Sequence, residues 1–150
     1  MAVDMSGEER VAAPIEEVWA ALNDPETLKA CIPGCETLER GDDDTLSAVV
    51  SLKIGPIKAR FNGAVALSNI DPPRGYTISG EGKGGIAGFA KGGADVSLTE
   101  AGPETTLLAY TARAEVGGKI AQLGSRLIQS TSKKLAAEFF SRLNQRISSG

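Results

Sequence analysis

The clearest pattern of apolar and polar positions lies near the end of the chain. From Lys119 to Ile147, large apolar residues recur at Ile120, Leu123, Leu127, Leu135, Phe139, Leu143 and Ile147. This is the three- and four-residue spacing of an amphipathic helix. No proline interrupts the stretch, and its length predicts a rod of roughly 40 Å. A steady step of four drifts around a helix, so the buried face rotates along the rod. Ser130-Thr131-Ser132 sets three hydroxyls in competition with the backbone, and a curve or break is expected there.

Upstream the period shortens to two. Thr45–Ile54 places Leu46, Ala48, Val50, Leu52 and Ile54 on one side. Ile57–Ile70 does the same with Ile57, Ala59, Phe61, Gly63, Val65 and Leu67, and Tyr76–Lys83 with Tyr76, Ile78, Gly80 and Gly82. Met5–Ala12, Ile86–Thr99 and Thr105–Val116 read as further strands, and hairpin spacing implies an antiparallel sheet. Two short helices follow the first strand. Pro14 opens one, with Glu16 and Glu17 in its first turn and Ile15, Val18, Trp19 and Leu22 on one face. Asp24-Pro25 caps the other, which ends before the turn dipeptide Pro33-Gly34. The order is a strand, two small helices, about six strands and a long helix, an α+β layout with helices on one face of the sheet.

With 150 residues the chain suits one domain, 1–150, with a sizeable core. Its net charge of −3 argues against a general nucleic-acid binder. The charge is uneven: Lys119–Ile147 alone is +5, leaving −8 for the rest. Lys133, Lys134, Arg142 and Arg146 make this a basic helix, suited to an acidic partner or anionic lipid, or simply a solvated outer face. Met1-Ala2-Val3-Asp4 lacks the basic start and apolar run of a secretory signal. No run approaches the roughly 20 apolar residues that span a bilayer. The expected location is the cytoplasm, where Cys31 and Cys35 stay reduced.

Glycine is abundant, 18 of 150 residues, against roughly 7% on average. Seven of these fall in Gly80–Gly93, and Ala59, Gly63, Ala64 and Ala66 thin the neighbouring strand. Small residues on a concave sheet either leave room for a ligand or mark bulges and sharp coiling. The candidate lining is apolar: Trp19, Leu22, Phe61, Val65, Tyr76, Ile78, Phe89, Tyr110, Leu123 and Leu127. Such a pocket suits a flat or chain-like lipophilic molecule. Taken singly, each of these residues fits an ordinary core better than a ligand contact.

The chain has no histidine, which removes the commonest general base and metal ligand. Zinc would need Cys31 and Cys35 with two carboxylates, and no second cysteine pair exists, so no metal site is expected. Gly80-Glu81-Gly82-Lys83-Gly84-Gly85 superficially resembles a phosphate loop, but a strand follows it rather than a helix. Glu81, Asp95 and Glu115, with Lys83, Lys91 and Arg113, are the titratable groups of the sheet. No constellation among them specifies catalysis, and no catalytic residue is assigned.

Val11-Ala12-Ala13-Pro14-Ile15-Glu16-Glu17-Val18-Trp19 resembles the opening of the helix-grip superfamily, which includes START, Bet v 1 and polyketide cyclase domains. More narrowly, Cys31-Ile32-Pro33-Gly34-Cys35-Glu36, Ile54-Gly55-Pro56-Ile57 and Asp71-Pro72-Pro73 resemble the CoxG family of carbon monoxide dehydrogenase. Gly80-Glu81-Gly82-Lys83-Gly84 and Val116-Gly117-Gly118-Lys119-Ile120-Ala121-Gln122-Leu123-Gly124 fit the same pattern. The resemblance implies a curved sheet of about seven antiparallel strands gripping the C-terminal helix around a hydrophobic tunnel. It also implies a non-catalytic accessory to a molybdenum hydroxylase of CO dehydrogenase type. Such a protein would handle a quinone-like molecule and help couple or recruit the enzyme at the inner face of the membrane. Many relatives carry a further C-terminal tail, whereas this sequence stops at Gly150. Two other readings use the same features. One is a cyclase- or dehydratase-like enzyme, with Tyr110 paired to Glu115 or Arg113 in the cavity. The other is a scaffold acting through the basic helix.

Overall fold

The computed structural model describes residues 1–149. Seven strands form one antiparallel sheet: β1 (Ala2–Val11), β2 (Cys35–Arg40), β3 (Thr45–Ile54), β4 (Ile57–Asp71), β5 (Gly75–Lys83), β6 (Phe89–Gly102) and β7 (Thr105–Gly117). Their spatial order is β1-β7-β6-β5-β4-β3-β2. Helices α1 (Ile15–Leu22) and α2 (Pro25–Cys31) link β1 to β2, and α3 (Ser125–Ser149) closes the chain. The expected helix-grip arrangement is present.

The local chemistry of the short helices follows their sequence. Asp24 accepts hydrogen bonds from the Glu26 backbone N–H at 3.3 Å and the Thr27 hydroxyl at 2.7 Å, with Pro25 in the first turn of α2. Ile15, Val18 and Leu22 bury one face of α1. The long helix lies along edge strand β1 and partners some backbone groups of the strand and its C-terminal end. Gln129 Nε2 donates to the Asp4 carbonyl at 2.7 Å. Asn144 both accepts from Ala12 N–H at 3.0 Å and donates to the Arg10 carbonyl at 3.1 Å.

Three features differ from the sequence expectation. The expected break at Ser130–Ser132 is absent, because the Ser130 and Ser132 hydroxyls donate to the Leu127 and Ile128 carbonyls inside the intact helix. The rod breaks earlier instead, at Gly124 (φ 94°), between a 3-10 turn at Lys119–Leu123 and α3. That break resets the helical phase, so Ile128 and Phe140 are buried while Leu127 is only half-buried. Strand β2 is a polar edge strand with no apolar alternation to predict it. Finally, β6 begins at Phe89 rather than Ile86, after a 3-10 turn at Gly85–Ala87.

Candidate functional site: a cavity between two core plugs

The buried side chains form two separate clusters. One, around α1 and α2, contains Val11, Ile15, Val18, Leu22, Leu67, Tyr76, Leu98, Leu108, Phe140 and Leu143. The other, at the far end of the strands, contains Val3, Ile54, Phe61, Ala87, Val116, Ile120 and Ile128. Strand parity explains the gap between them. The inward column of β7 runs Leu108, Tyr110, Ala112, Ala114, Val116. That of β6 runs Leu98, Val96, Ala94, Gly92, Ala90, and that of β4 runs Leu67, Val65, Gly63, Phe61. Large residues stand at the ends of these columns and small ones in the middle.

Register aligns the small residues across the sheet. Val65, Gly80, Gly92 and Ala114 form one row, with Val3 of β1 at its end. Gly63, Gly82 and Ala90 form the next. The result is a cavity of about 730 Å³ whose wall is overwhelmingly apolar. Leu135, Ala136, Phe139 and Phe140 of α3 face the sheet across it, and Leu28 and Ile32 close the α2 side.

Both sequence readings of the glycines hold, at different positions. A Cβ on Gly82 would meet nothing within 4 Å, and one on Gly63 nothing closer than 3.7 Å. These two leave room. A Cβ on Gly80 would collide with the Ala64 carbonyl oxygen, and one on Gly92 with that of Arg113. Those two permit the strands to coil.

Six of the ten residues expected to line the cavity do so: Leu22, Phe61, Val65, Tyr76, Ile78 and Tyr110. The other four lie elsewhere. The Trp19 ring packs on Tyr76 at 5.4 Å between centroids, backing the wall rather than forming it. Phe89 points to the outer face, over Gly117, because β6 starts with that parity. Leu123 and Leu127 cover the β3–β4 turn at Gly55, whose added Cβ would lie 2.9 Å from Leu127 Cδ2. The sequence pattern does not single out the α2 and α3 lining residues. The signal available for Leu135 and Phe139 is their place in the apolar helix pattern, which reads as packing alone.

Polar groups in the wall are few. The Tyr76 hydroxyl donates to the Leu22 carbonyl at 3.2 Å, and burial pushes its pKa up to about 12. Tyr110 stacks on Phe140 at 5.4 Å and has its hydroxyl over Gly7. Burial raises its pKa, and the Glu9 carboxylate adds a smaller push. Glu115 and Arg113 sit on the exposed outer face, Glu115 paired with the Met1 amino group at 2.7 Å. Neither reaches Tyr110 from inside. Cys31 is buried and Cys35 half-buried; both thiols are free, with pKa values raised by burial. No group of three or more metal-ligating side chains occurs among the described residues.

The basic residues of α3 are dispersed. Arg142 lies 3.9 Å from Glu138, and Arg146 Nε donates to the Thr27 hydroxyl at 3.2 Å. Lys133 and Lys134 are exposed and about 100° apart on the helix.

A curved antiparallel sheet closed by a C-terminal helix over an apolar cavity defines the START and Bet v 1-like class. Similar solved structures include a START superfamily protein from Mycobacterium smegmatis, with 22% identity, coverage of 95% of this chain and 97% of that one, and TM-score 0.66. The Zhui aromatase/cyclase from Streptomyces sp. R1128 matches with 12% identity, coverage of 99% and 94%, and TM-score 0.73. A conserved protein from Geobacillus kaustophilus is nearer, with 33% identity, coverage of 98% and 96%, and TM-score 0.93. No protein of curated function matches significantly. The chain belongs to the carbon monoxide dehydrogenase CoxG family, whose model matches residues 7–148.

Proposed function

We propose that this protein is a non-catalytic accessory of a molybdenum hydroxylase of CO dehydrogenase type, and that its cavity carries a lipophilic, quinone-like molecule for that enzyme at the membrane. The observation that carries the reading is the hollow itself. Two compact plugs flank a space walled by glycine, alanine and branched aliphatic side chains. Native interiors are otherwise close-packed, and an apolar space of this size, partly open to solvent, favours an apolar occupant over water. An apolar space with a few hydroxyls in its wall, those of Tyr76, Tyr110, Thr131 and Ser132, fits a ring with few polar substituents. Family membership supports the enzyme partner.

Glu115 and Arg113 are exposed and of outward strand parity, which speaks against the polar pair that a cyclase-like mechanism would use with Tyr110. The test is binding of short-chain menaquinone and ubiquinone analogues to the purified protein. Trp19 is the sole tryptophan and packs on Tyr76, a cavity residue. Saturable quenching of its fluorescence, with a raised Tm, is expected. Absence of both effects would overturn the carrier reading.

A further inference from the structure

We infer that the protein docks end-on to an anionic lipid bilayer through the turn that carries Ile86. This rests on the carrier reading and goes beyond it, because it names the surface that holds the protein at the membrane where its cargo resides.

Ile86 is the most exposed large apolar side chain described, at 86% of its full accessible area. It projects from the 3-10 turn Gly85–Ala87, between Lys83, the last residue of β5, and Phe89. The turn is held firmly. Its Ala87 is buried in the far core plug, Gly84 packs against the Phe61 ring, and Gly88 abuts the Gly118 backbone. Ile86 is therefore presented on a fixed base rather than on a loose loop.

The surroundings are cationic. Antiparallel connections bring the β3–β4 turn, the Ile86 turn and the passage from β7 to α3 to the same end of the sheet. They carry Lys53 and Lys58, Lys83, and Lys119 and Arg126, all exposed. Lys53 and Lys58 are directly opposite each other in the β3–β4 register, an arrangement that repels unless an anion covers it. Among the described residues, no ion pair involves Lys53, Lys58, Lys119 or Arg126. The carboxylates nearest this end are already engaged: Glu81 with Lys83 at 3.7 Å, Glu115 with the Met1 amino group, and Glu36 with Arg60 at 2.7 Å.

The opposite end is acidic. The β2–β3 loop carries Asp42, Asp43 and Asp44, the last paired with Arg40 at 3.3 Å, the β4–β5 turn sets Asp71 beside Arg74, and the β6–β7 turn is flanked by Glu100 and Glu104, so carboxylates outnumber cations there. Net charge of −3 thus conceals a polarity along the strands. An anionic surface attracts the Ile86 end and repels the other, while Ile86 and Phe89 supply apolar side chains to the headgroup region. This places docking at the turns rather than on the helix residues Lys133 and Lys134.

The experiment is co-sedimentation with vesicles of phosphatidylglycerol and phosphatidylcholine, compared with phosphatidylcholine alone, at low and high salt. The wild-type protein should pellet with the anionic vesicles only, and less at high salt. Ile86→Asp, and separately Lys53→Glu with Lys58→Glu, should weaken binding at least about tenfold, with Tm unchanged. Lys133→Glu with Lys134→Glu should bind as wild type. Failure of the wild type to bind anionic vesicles, or undiminished binding by the turn variants, would overturn the inference. Quinone binding is measured separately in vesicle-free solution, where Ile86→Asp should behave as wild type. Vesicle binding without quinone binding would sink the carrier reading alone, and the reverse would sink docking alone.

Discussion

The Tyr76 hydroxyl donates to the Leu22 carbonyl at 3.2 Å, joining the concave face of β5 to the last turn of α1. Both residues line the cavity, and Tyr76 is only 6% exposed. The bond satisfies a helix carbonyl that would otherwise lack a partner. Tyr76→Phe should cost about 1–2 kcal/mol, read as a lower midpoint in urea with an unchanged slope. The hydroxyl also gives a pH signature. Its folded pKa of about 12 lies above the ordinary tyrosine value of 10.0. Its contribution is therefore complete below pH 10 and is lost as pH rises toward 12, by roughly 2 kcal/mol. The phenylalanine variant should lack that part of the alkaline loss.

The two kinds of glycine give opposite outcomes. Gly82→Leu extends into open space, so stability should stay within about 1 kcal/mol of the parent or rise. Quinone-analogue affinity should fall at least about tenfold as the cavity fills. Gly80→Ala drives a methyl into the Ala64 carbonyl and should destabilise by about 2 kcal/mol. Thermal unfolding and analogue titration of both variants check this. Equal behaviour of the two would show that the hollow is not where the small residues place it.

Much of this site is legible in the sequence because β3, β4 and β5 alternate cleanly. Their inward columns, from Leu46 to Gly82, fall on the cavity side as their parity predicts. The losses have local causes. Phe89 follows a turn, and a turn erases the parity that precedes it. Leu127 and Leu123 match the helical spacing of the sequence, but Gly124 divides them into different helices. Strand β2 has Leu38 as its one inward aliphatic side chain on the cavity. Pairing with β3 and a distant arginine hold it, and neither is visible in a local window. The separation of the core into two plugs emerges only from register, which places residues remote in sequence in the same row.

Gly124 has φ 94° and ψ 152°, a conformation almost restricted to glycine. It is also where the 3-10 turn hands over to α3, and the Ile128 N–H bonds back to its carbonyl at 3.2 Å. No side chain crowds the position, so any cost of Gly124→Ala comes from the backbone alone. That cost should be about 1–3 kcal/mol, seen as a lowered Tm. Faster amide exchange near Ile120 and Ile128, the helix-side members of the far plug, should accompany it.

Glu36 latches the edge strand to the rest of the sheet. Its carboxylate, on β2, accepts hydrogen bonds from Arg60 of β4 at 2.7 and 3.0 Å and from the Ser51 hydroxyl of β3. The Arg60 hydrogen bonds, then Ser51, hold its pKa below the usual carboxylate range. A depressed carboxylate pKa stabilises the fold at pH above the unfolded value, and the effect disappears as pH falls through the folded one. Acidification below about pH 4 should therefore loosen β2 before the central strands. Glu36→Gln should reproduce the loosening at neutral pH and remove its acid dependence. Amide hydrogen exchange in Thr37–Arg40, compared with β6, is the measurement. Leu38 lines the cavity on this strand, so quinone-analogue release should quicken in parallel if the wall and the latch are linked.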